Sequence, residues 1–175
     1  NDEAEPLLQT ALASLRASFG EQHMLTCEAR QRLGAVLVAL NRLDEAEPEL
    51  EAAVAQFRKW SDRSPESLIG ALGNLASLRW RQGHRDDAVA TQREAVELAN
   101  TMLPPDHFVR TVGMTNLALM LEQQDQLGDA VDLLREAREW AQKAGRKGEV
   151  VIQGERLDAL LLRLGRDQEA DAIGR

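Results

Sequence analysis

Thiol and imidazole side chains are the most reactive groups in this sequence, and their spacing does little to support catalysis or metal binding. Cys27, the single cysteine, follows His23 by four residues, so on a helix the thiol would lie beside the imidazole. A dyad of these two residues is conceivable, but nothing else resembles a thiol-enzyme site. No second cysteine and no pair of histidines four residues apart provides the ligands of a zinc site.

Paired carboxylates, the other arrangement suited to acid–base chemistry, fall where helices are expected to begin. Asp44-Glu45 and Asp86-Asp87 each open such a segment, where the positive end of the helix dipole accounts for them. The sequence has no glycine-rich phosphate loop, no nucleophile elbow and no His-Glu metal motif. We therefore predict a protein that is not an enzyme and that needs no metal and no cofactor.

Composition and charge narrow the remaining classes of function. The 175 residues carry a net charge of −8, which makes nucleic acid a poor partner because phosphate binding needs a cationic surface. No apolar run approaches membrane-spanning length, and the first residues do not resemble a signal peptide. One cysteine cannot form an internal disulfide, and we expect a cytoplasmic protein. Abundant Leu, Ala, Glu, Arg and Gln favour helix throughout.

The elements that position these groups repeat along the chain. The pentapeptide DEAEP at 2–6 recurs at 44–48, within a wider pattern of the same spacing. Single alanines mark the repeat at intervals of 42, 42, 42 and 40 residues: Ala4, Ala46, Ala88, Ala130 and Ala170. Another alanine follows each of the first four by seven residues, so two small side chains share one helix face and let a neighbouring helix approach. Such a period indicates a solenoid of stacked units.

Each marker alanine is preceded by another helical segment and a turn. The turns contain residue types that tolerate the left-handed conformation: Asn41, Gly83, Asp125 and Gly165. We expect a helix to end at each of them, and an Asp or Gly two or three residues later, such as Asp44 or Gly128, to cap the next helix. Pro6 and Pro48 are expected in a first helical turn. His23 and His107, two repeats apart, are expected to cap or pack.

The pattern predicts an all-α fold of stacked antiparallel helical hairpins. Helices are expected at about 2–18, 24–40, 44–59, 66–82, 86–102, 107–124, 128–143, 149–164 and 167–173. The single repeat array over 1–175 then divides into a second helix of a truncated repeat at 1–22, repeats at 23–64, 65–106 and 107–147, and a truncated repeat at 148–175. Trp60, Trp80 and Trp140 are expected to pack between hairpins, although Trp80 is also a candidate for the rim of a binding groove.

The segments GNLASLRWRQGHRDDA and TNLALMLEQQDQLGDA resemble the tetratricopeptide repeat (TPR). The 42-residue unit and the connectors FGEQHMLT and LPPDHFVR are similar to its kinesin-light-chain subtype, although Leu37, Arg79 and Leu121 replace the aromatic of that subtype. The resemblance implies a right-handed α-solenoid, the TPR superhelix, whose first helices line a concave groove. It also implies a non-catalytic scaffold that binds a peptide segment of a partner protein. The Ala- and Arg-rich composition suits a bacterial protein.

The resemblance further implies that Asn74 and Asn116 face the groove and bond the main chain of the peptide, because an amide both donates and accepts. Their equivalents in the flanking repeats are Arg32 and Arg156, and helical register adds four residues to the same wall: Ser77, Arg81, Gln123 and Arg163. Inward-facing arginines would favour an acidic peptide, since guanidinium groups bind carboxylates. The alternative is that these arginines alternate with Glu along solvated faces.

Two other functions stay open at this point. Residues 2–18 and 167–173 look like second helices without complete partners, which suggests an assembly or sensor arm that self-associates through open solenoid ends. The chain is also compatible with a regulatory segment of a larger enzyme or regulator, a reading that excludes neither of the others.

Overall fold

The computed structural model describes residues 4–173, and within that range the chain forms nine α-helices and no strand. The helices are α1 (Ala4–Phe19), α2 (Met24–Ala39), α3 (Leu43–Arg58), α4 (Pro65–Gln82), α5 (Arg85–Met102), α6 (Phe108–Gln123), α7 (Leu127–Lys143), α8 (Lys147–Arg163) and α9 (Asp167–Ile173). All bounds lie within two residues of those predicted, which confirms the all-α fold. The predicted start at residue 2 and the outer limits of the segments 1–22 and 148–175 lie outside the described residues.

The hairpin turns follow the prediction made from their residue types. Each contains a residue with positive φ: Asn41 (61°), Gly83 (88°), Asp125 (61°) and Gly165 (69°). In the α2–α3 turn the N–H of Arg42 donates to the C=O of Leu37 over 2.9 Å, and this bond satisfies a carbonyl that the helix leaves without a partner. Glycine, asparagine and aspartate adopt this conformation at low cost, so the sequence fixes where each first helix ends.

The caps predicted at Asp44 and Gly128 and the first-turn position predicted for Pro48 were wrong. Asp44 lies inside the first turn of α3, whose N-cap is Arg42, and the N-cap of α7 is Gln126 instead of Gly128. Arg42 instead donates through Nε to Oε1 of Glu45 over 2.6 Å, and this bond lowers the pKa of the Glu45 carboxyl. Pro48 lies inside α3 beyond its first turn, so the C=O of Asp44 lacks the usual N–H partner. The cap predicted at Asp2 lies outside the described part of the chain.

The chain divides into two compact units, Asn1–Ala95 and Val96–Arg175, called unit 1 and unit 2 below; α5 spans the division. In unit 1, Ala46 and Ala53 are fully buried on α3, as their small size requires. Gly34 of α2 faces Leu50 of α3 so closely that a Cβ on Gly34 would lie 2.6 Å from Leu50 Cγ. The close packing of α2 against α3 therefore requires a residue without a side chain at Gly34.

The tryptophans are half-buried and their ring contacts lie within a single hairpin, so their packing between hairpins stays a prediction. In unit 1, the Trp60 ring lies edge-on to Phe57 at 6.4 Å, and the Arg85 guanidinium lies 3.9 Å from the centre of the Trp80 ring. In unit 2, the Trp140 ring lies 4.3 Å from the Arg110 guanidinium, which is itself buried. Packing of Trp80 beside the turn weakens its case as a groove residue.

Candidate peptide-binding faces

The first helices α2 and α6 begin directly after equivalent histidines. These histidines therefore set where the helices that carry candidate site residues begin. The Nδ1 atoms of His23 and His107 accept the N–H groups of Leu25 and Val109, each over 3.3 Å, as side-chain caps. The His23 ring also stacks on Phe19 with 4.6 Å between centroids. The capping role predicted for both histidines is confirmed.

Cys27 is placed for packing and not for nucleophilic chemistry. The thiol is buried, and its Sγ donates to the C=O of Glu21 over 3.7 Å. Burial raises the pKa of the Cys27 thiol, so the protonated form dominates near neutral pH. The Nδ1 of His23 accepts the capping N–H, so this nitrogen is not available as a base for the thiol. Among residues 4–173, no three His, Cys, Asp or Glu side chains form a group that could hold a metal ion.

In unit 1, the exposed side of α2 and α4 carries four of the predicted site residues; we call it the first-helix face of unit 1. Arg32 is exposed, and Asn74 and Ser77 are half-buried. Arg81 donates from Nη1 to the C=O of Val38 over 2.9 Å, which ties α4 to the end of α2. Arg32 has no ion pair within the part of the chain that the structure describes, so its charge remains available to a ligand.

In unit 2, the exposed side of α6 and α8 carries the other four; we call it the first-helix face of unit 2. Asn116, Gln123 and Arg156 are exposed. Arg163 is paired instead: its Nη1 donates to Oε1 of Glu122 over 2.7 Å. Arg156 has no ion pair with any residue of the described range. Of the four predicted arginines, Arg81 and Arg163 therefore have guanidinium groups bonded within the chain. The guanidinium groups of the other two have no ion pair among the described residues.

A cleft of about 190 Å³ opens between α6 and α8 and includes one predicted residue, Asn116. The other residues that line it were not predicted: Thr111, Val112, Thr115, Glu149, Ile152 and Gln153. One signal in the sequence would have pointed to Val112 and Ile152. At the repeat position occupied by Glu28 and Gly70 in unit 1, the residues of unit 2 are Val112 and Ile152, so the position becomes apolar.

The chain belongs to the tetratricopeptide repeat family. Models described as "Tetratricopeptide repeat" match residues 1–59 and residues 68–108 and 113–144, which together cover most of the sequence. The fold is accordingly an α-solenoid of helical hairpins, and repeats of this family generally mediate protein–protein interactions. No curated protein matches this sequence.

Solved structures place the fold near the kinesin-light-chain type of this repeat. A chain from Podosopora anserina described by "kinesin light chain nearly identical TPR-like repeats" has a TM-score of 0.80 at 22% identity, with 98% of this chain and 82% of that chain covered. BtubC (BKLC) from P. vanneervenii has a TM-score of 0.73 at 20% identity, with 95% of this chain and 71% of that chain covered. At these identities the likeness concerns the fold.

None of the described helices has the length and apolar character needed to cross a membrane.

Proposed function

We propose that the chain binds a peptide segment of a partner protein along its first-helix faces, which correspond to the concave groove of the repeat family. One observation carries the proposal: Asn116 is exposed at the edge of an open cleft between α6 and α8. An exposed carboxamide donates and accepts at once, which suits the N–H and C=O groups of any extended segment. Asn74 occupies the equivalent position in unit 1.

The charges on these faces support an acidic segment. Arg32 and Arg156 are exposed and have no ion pair among residues 4–173, and a guanidinium binds a carboxylate through two hydrogen bonds. A net charge of −8 disfavours nucleic acid as the ligand. We propose that binding takes place in the cytoplasm, because a reducing compartment suits the free, buried thiol of Cys27.

We expect the two asparagines to control affinity for the segment. A displayed library of random dodecapeptides, selected on the intact chain, supplies a probe whose affinity is then measured by calorimetry. Loss of one hydrogen bond costs about 1–1.5 kcal/mol, so Asn74→Ala or Asn116→Ala should each weaken binding roughly 5- to 10-fold. Gln142→Ala, an exposed amide on the second helix α7, is the matched control and should leave affinity unchanged. Unchanged affinity in the folded double asparagine variant would refute this role.

Self-association is the second candidate function, favoured by apolar side chains that the structure leaves exposed. Leu7 and Phe19 on α1 are 71% and 55% exposed. If this surface pairs two copies, the mass measured by sedimentation should rise with concentration, and Leu7→Glu should return the chain to a monomer, because a buried charge is costly. A constant monomer mass at high concentration would eliminate this candidate.

A further inference from the structure

Among the differences between the first-helix faces of the two units, one repeat position bears on the cleft, because its residues line the cleft in unit 2. In unit 1, Gly70 has no side chain, and Gln31 lies across it: a Cβ on Gly70 would be 2.9 Å from Gln31 Nε2. The helices α2 and α4 approach closely there. In unit 2, the equivalent residues Val112 and Ile152 project into the space between α6 and α8 and are 46% and 54% exposed.

The size and walls of the cleft fit one aliphatic side chain. Its volume of about 190 Å³ is below the roughly 300–1,000 Å³ typical of pockets that take whole small molecules, and well above the roughly 30 Å³ of a single water. A single exposed valine or isoleucine is ordinary on a protein surface. Here Val112 and Ile152 flank the same cavity, so an apolar group placed between them is removed from water on two sides.

A buried amide in the wall of the cleft points to the main chain of the ligand. Gln153 is 3% exposed, and its Nε2 donates to Thr115 Oγ1 over a long 3.4 Å. Its Oε1 has no hydrogen-bond partner among the described residues. A buried acceptor in this state is unfavourable, and a donor that reaches it gains the full hydrogen bond. The N–H group that every residue except proline carries is such a donor.

The charges around the cleft select among occupants. Arg156 lies one helical turn beyond Ile152 on α8, exposed and without an ion pair in the described range. At the other end, Oε2 of Glu149 accepts from Thr111 Oγ1 over 2.6 Å, so a carboxylate on a ligand is favoured on the Arg156 side. In an extended segment, residues two apart share a face and lie about 7 Å from each other, close to one turn of α8.

We infer that the cleft lined by Val112, Ile152 and Gln153 is a specificity pocket for an extended segment of a partner protein. It takes one Val, Ile or Leu side chain, accepts a main-chain N–H of the segment at Gln153 Oε1, and pairs Arg156 with an Asp or Glu two residues from the aliphatic one. The inference rests on the proposed function. It adds which residue of the segment the chain recognises and which residues of the chain contact it.

Selection of random dodecapeptides on three chains tests the pocket: wild type, Ile152→Ser and Leu162→Ser. Leu162 is the matched control, because it is an exposed leucine on the same helix and does not line the cleft. Wild type and Leu162→Ser should enrich an aliphatic residue two positions from an acidic one, and Ile152→Ser should lose the aliphatic preference. Peptides that bind through Asn74 and Asn116 without this preference would overturn the pocket and leave the proposed function intact. Failure to recover any peptide from wild type would overturn both.

Calorimetry with the enriched peptide tests each contact separately. Replacing its aliphatic residue by alanine should weaken binding to wild type about 10- to 100-fold, and much less to Ile152→Ser, as expected for groups in direct contact. N-methylation of the bonded main-chain amide should weaken binding to wild type roughly 5- to 10-fold but leave binding to Gln153→Met nearly unchanged. Equal effects of N-methylation on both chains, or a dimer that Ile152→Ser abolishes, would contradict the assignment.

Discussion

Replacement of Phe57 by alanine is expected to lower the free energy of unfolding of unit 1 by about 3–5 kcal/mol. The Phe57 side chain is fully buried on α3, and its ring lies edge-to-face with Trp60 at 6.4 Å. Alanine would remove this apolar volume and leave a cavity that the rigid helices around it fill only in part. Urea denaturation followed by circular dichroism measures the loss.

The chain offers a matched control for Phe57. Phe19 also lies next to an aromatic ring, that of His23, but it is 55% exposed. Phe19→Ala should therefore cost about 1 kcal/mol or less, and Phe57→Leu, which keeps most of the volume, less than roughly 1.5 kcal/mol. The hairpins of a solenoid are stabilised by contacts with their neighbours, so a local loss of stability can unfold one part of the array first. The urea transition of Phe57→Ala should therefore broaden, because unit 1 unfolds at a lower urea concentration than unit 2. Equal losses for Phe57→Ala and Phe19→Ala would contradict the packing described above.

Gly34→Val is expected to destabilise unit 1 by about 2–3 kcal/mol through overpacking. A Cβ at Gly34 would lie 2.6 Å from Cγ and 2.7 Å from Cδ2 of Leu50, and Leu50 is fully buried. The helices α2 and α3 would have to separate, and the contacts between them would weaken along their length. Thermal and urea denaturation of the purified variant measure the effect.

A double-mutant cycle shows whether the steric contact is the cause. Leu50→Ala alone should cost about 2–5 kcal/mol through a cavity, whereas Leu50→Ala combined with Gly34→Val should cost clearly less than the sum, because the valine fills part of that cavity. Gly128, where an added Cβ meets nothing within 4 Å, is the control. Gly128→Ala should stabilise the chain by up to about 1 kcal/mol through helix propensity. Additive losses in the cycle would show that Leu50 is not the obstacle.

These stability effects concern buried residues that hold the helices together, whereas the binding predictions concern exposed side chains proposed to contact a ligand. Gly34 lets α2 pack closely against α3, and α2 in turn carries Arg32 of the unit 1 face. A destabilised variant can therefore lose binding for reasons unrelated to recognition. The exposed positions Asn116, Ile152 and Leu162 avoid this difficulty, because substitutions there leave the buried contacts intact.

The ends of the first helices α2, α4, α6 and α8 follow from the local chemistry of their turn residues. The repeat alanines place small side chains where helices touch, and Asn41 or Gly83 adopts the left-handed conformation that ends a helix. The capping histidines His23 and His107 could be predicted because a repeat spacing put them at the same point of two units. These features depend on a few consecutive residues, so neighbours far away in the chain do not change them.

Only the tertiary structure decided which side chains remain available to a partner. Arg81 and Arg32 look alike in the sequence, but Arg81 donates to the C=O of Val38, 43 residues earlier in the chain. Arg163 likewise donates to Glu122, 41 residues earlier. The cleft of unit 2 likewise exists because Val112 and Ile152 lie on separate helices whose distance no local pattern specifies. Repeat periodicity fixes conformation through short-range interactions, whereas availability depends on contacts between repeats, and these are set only when the helices pack.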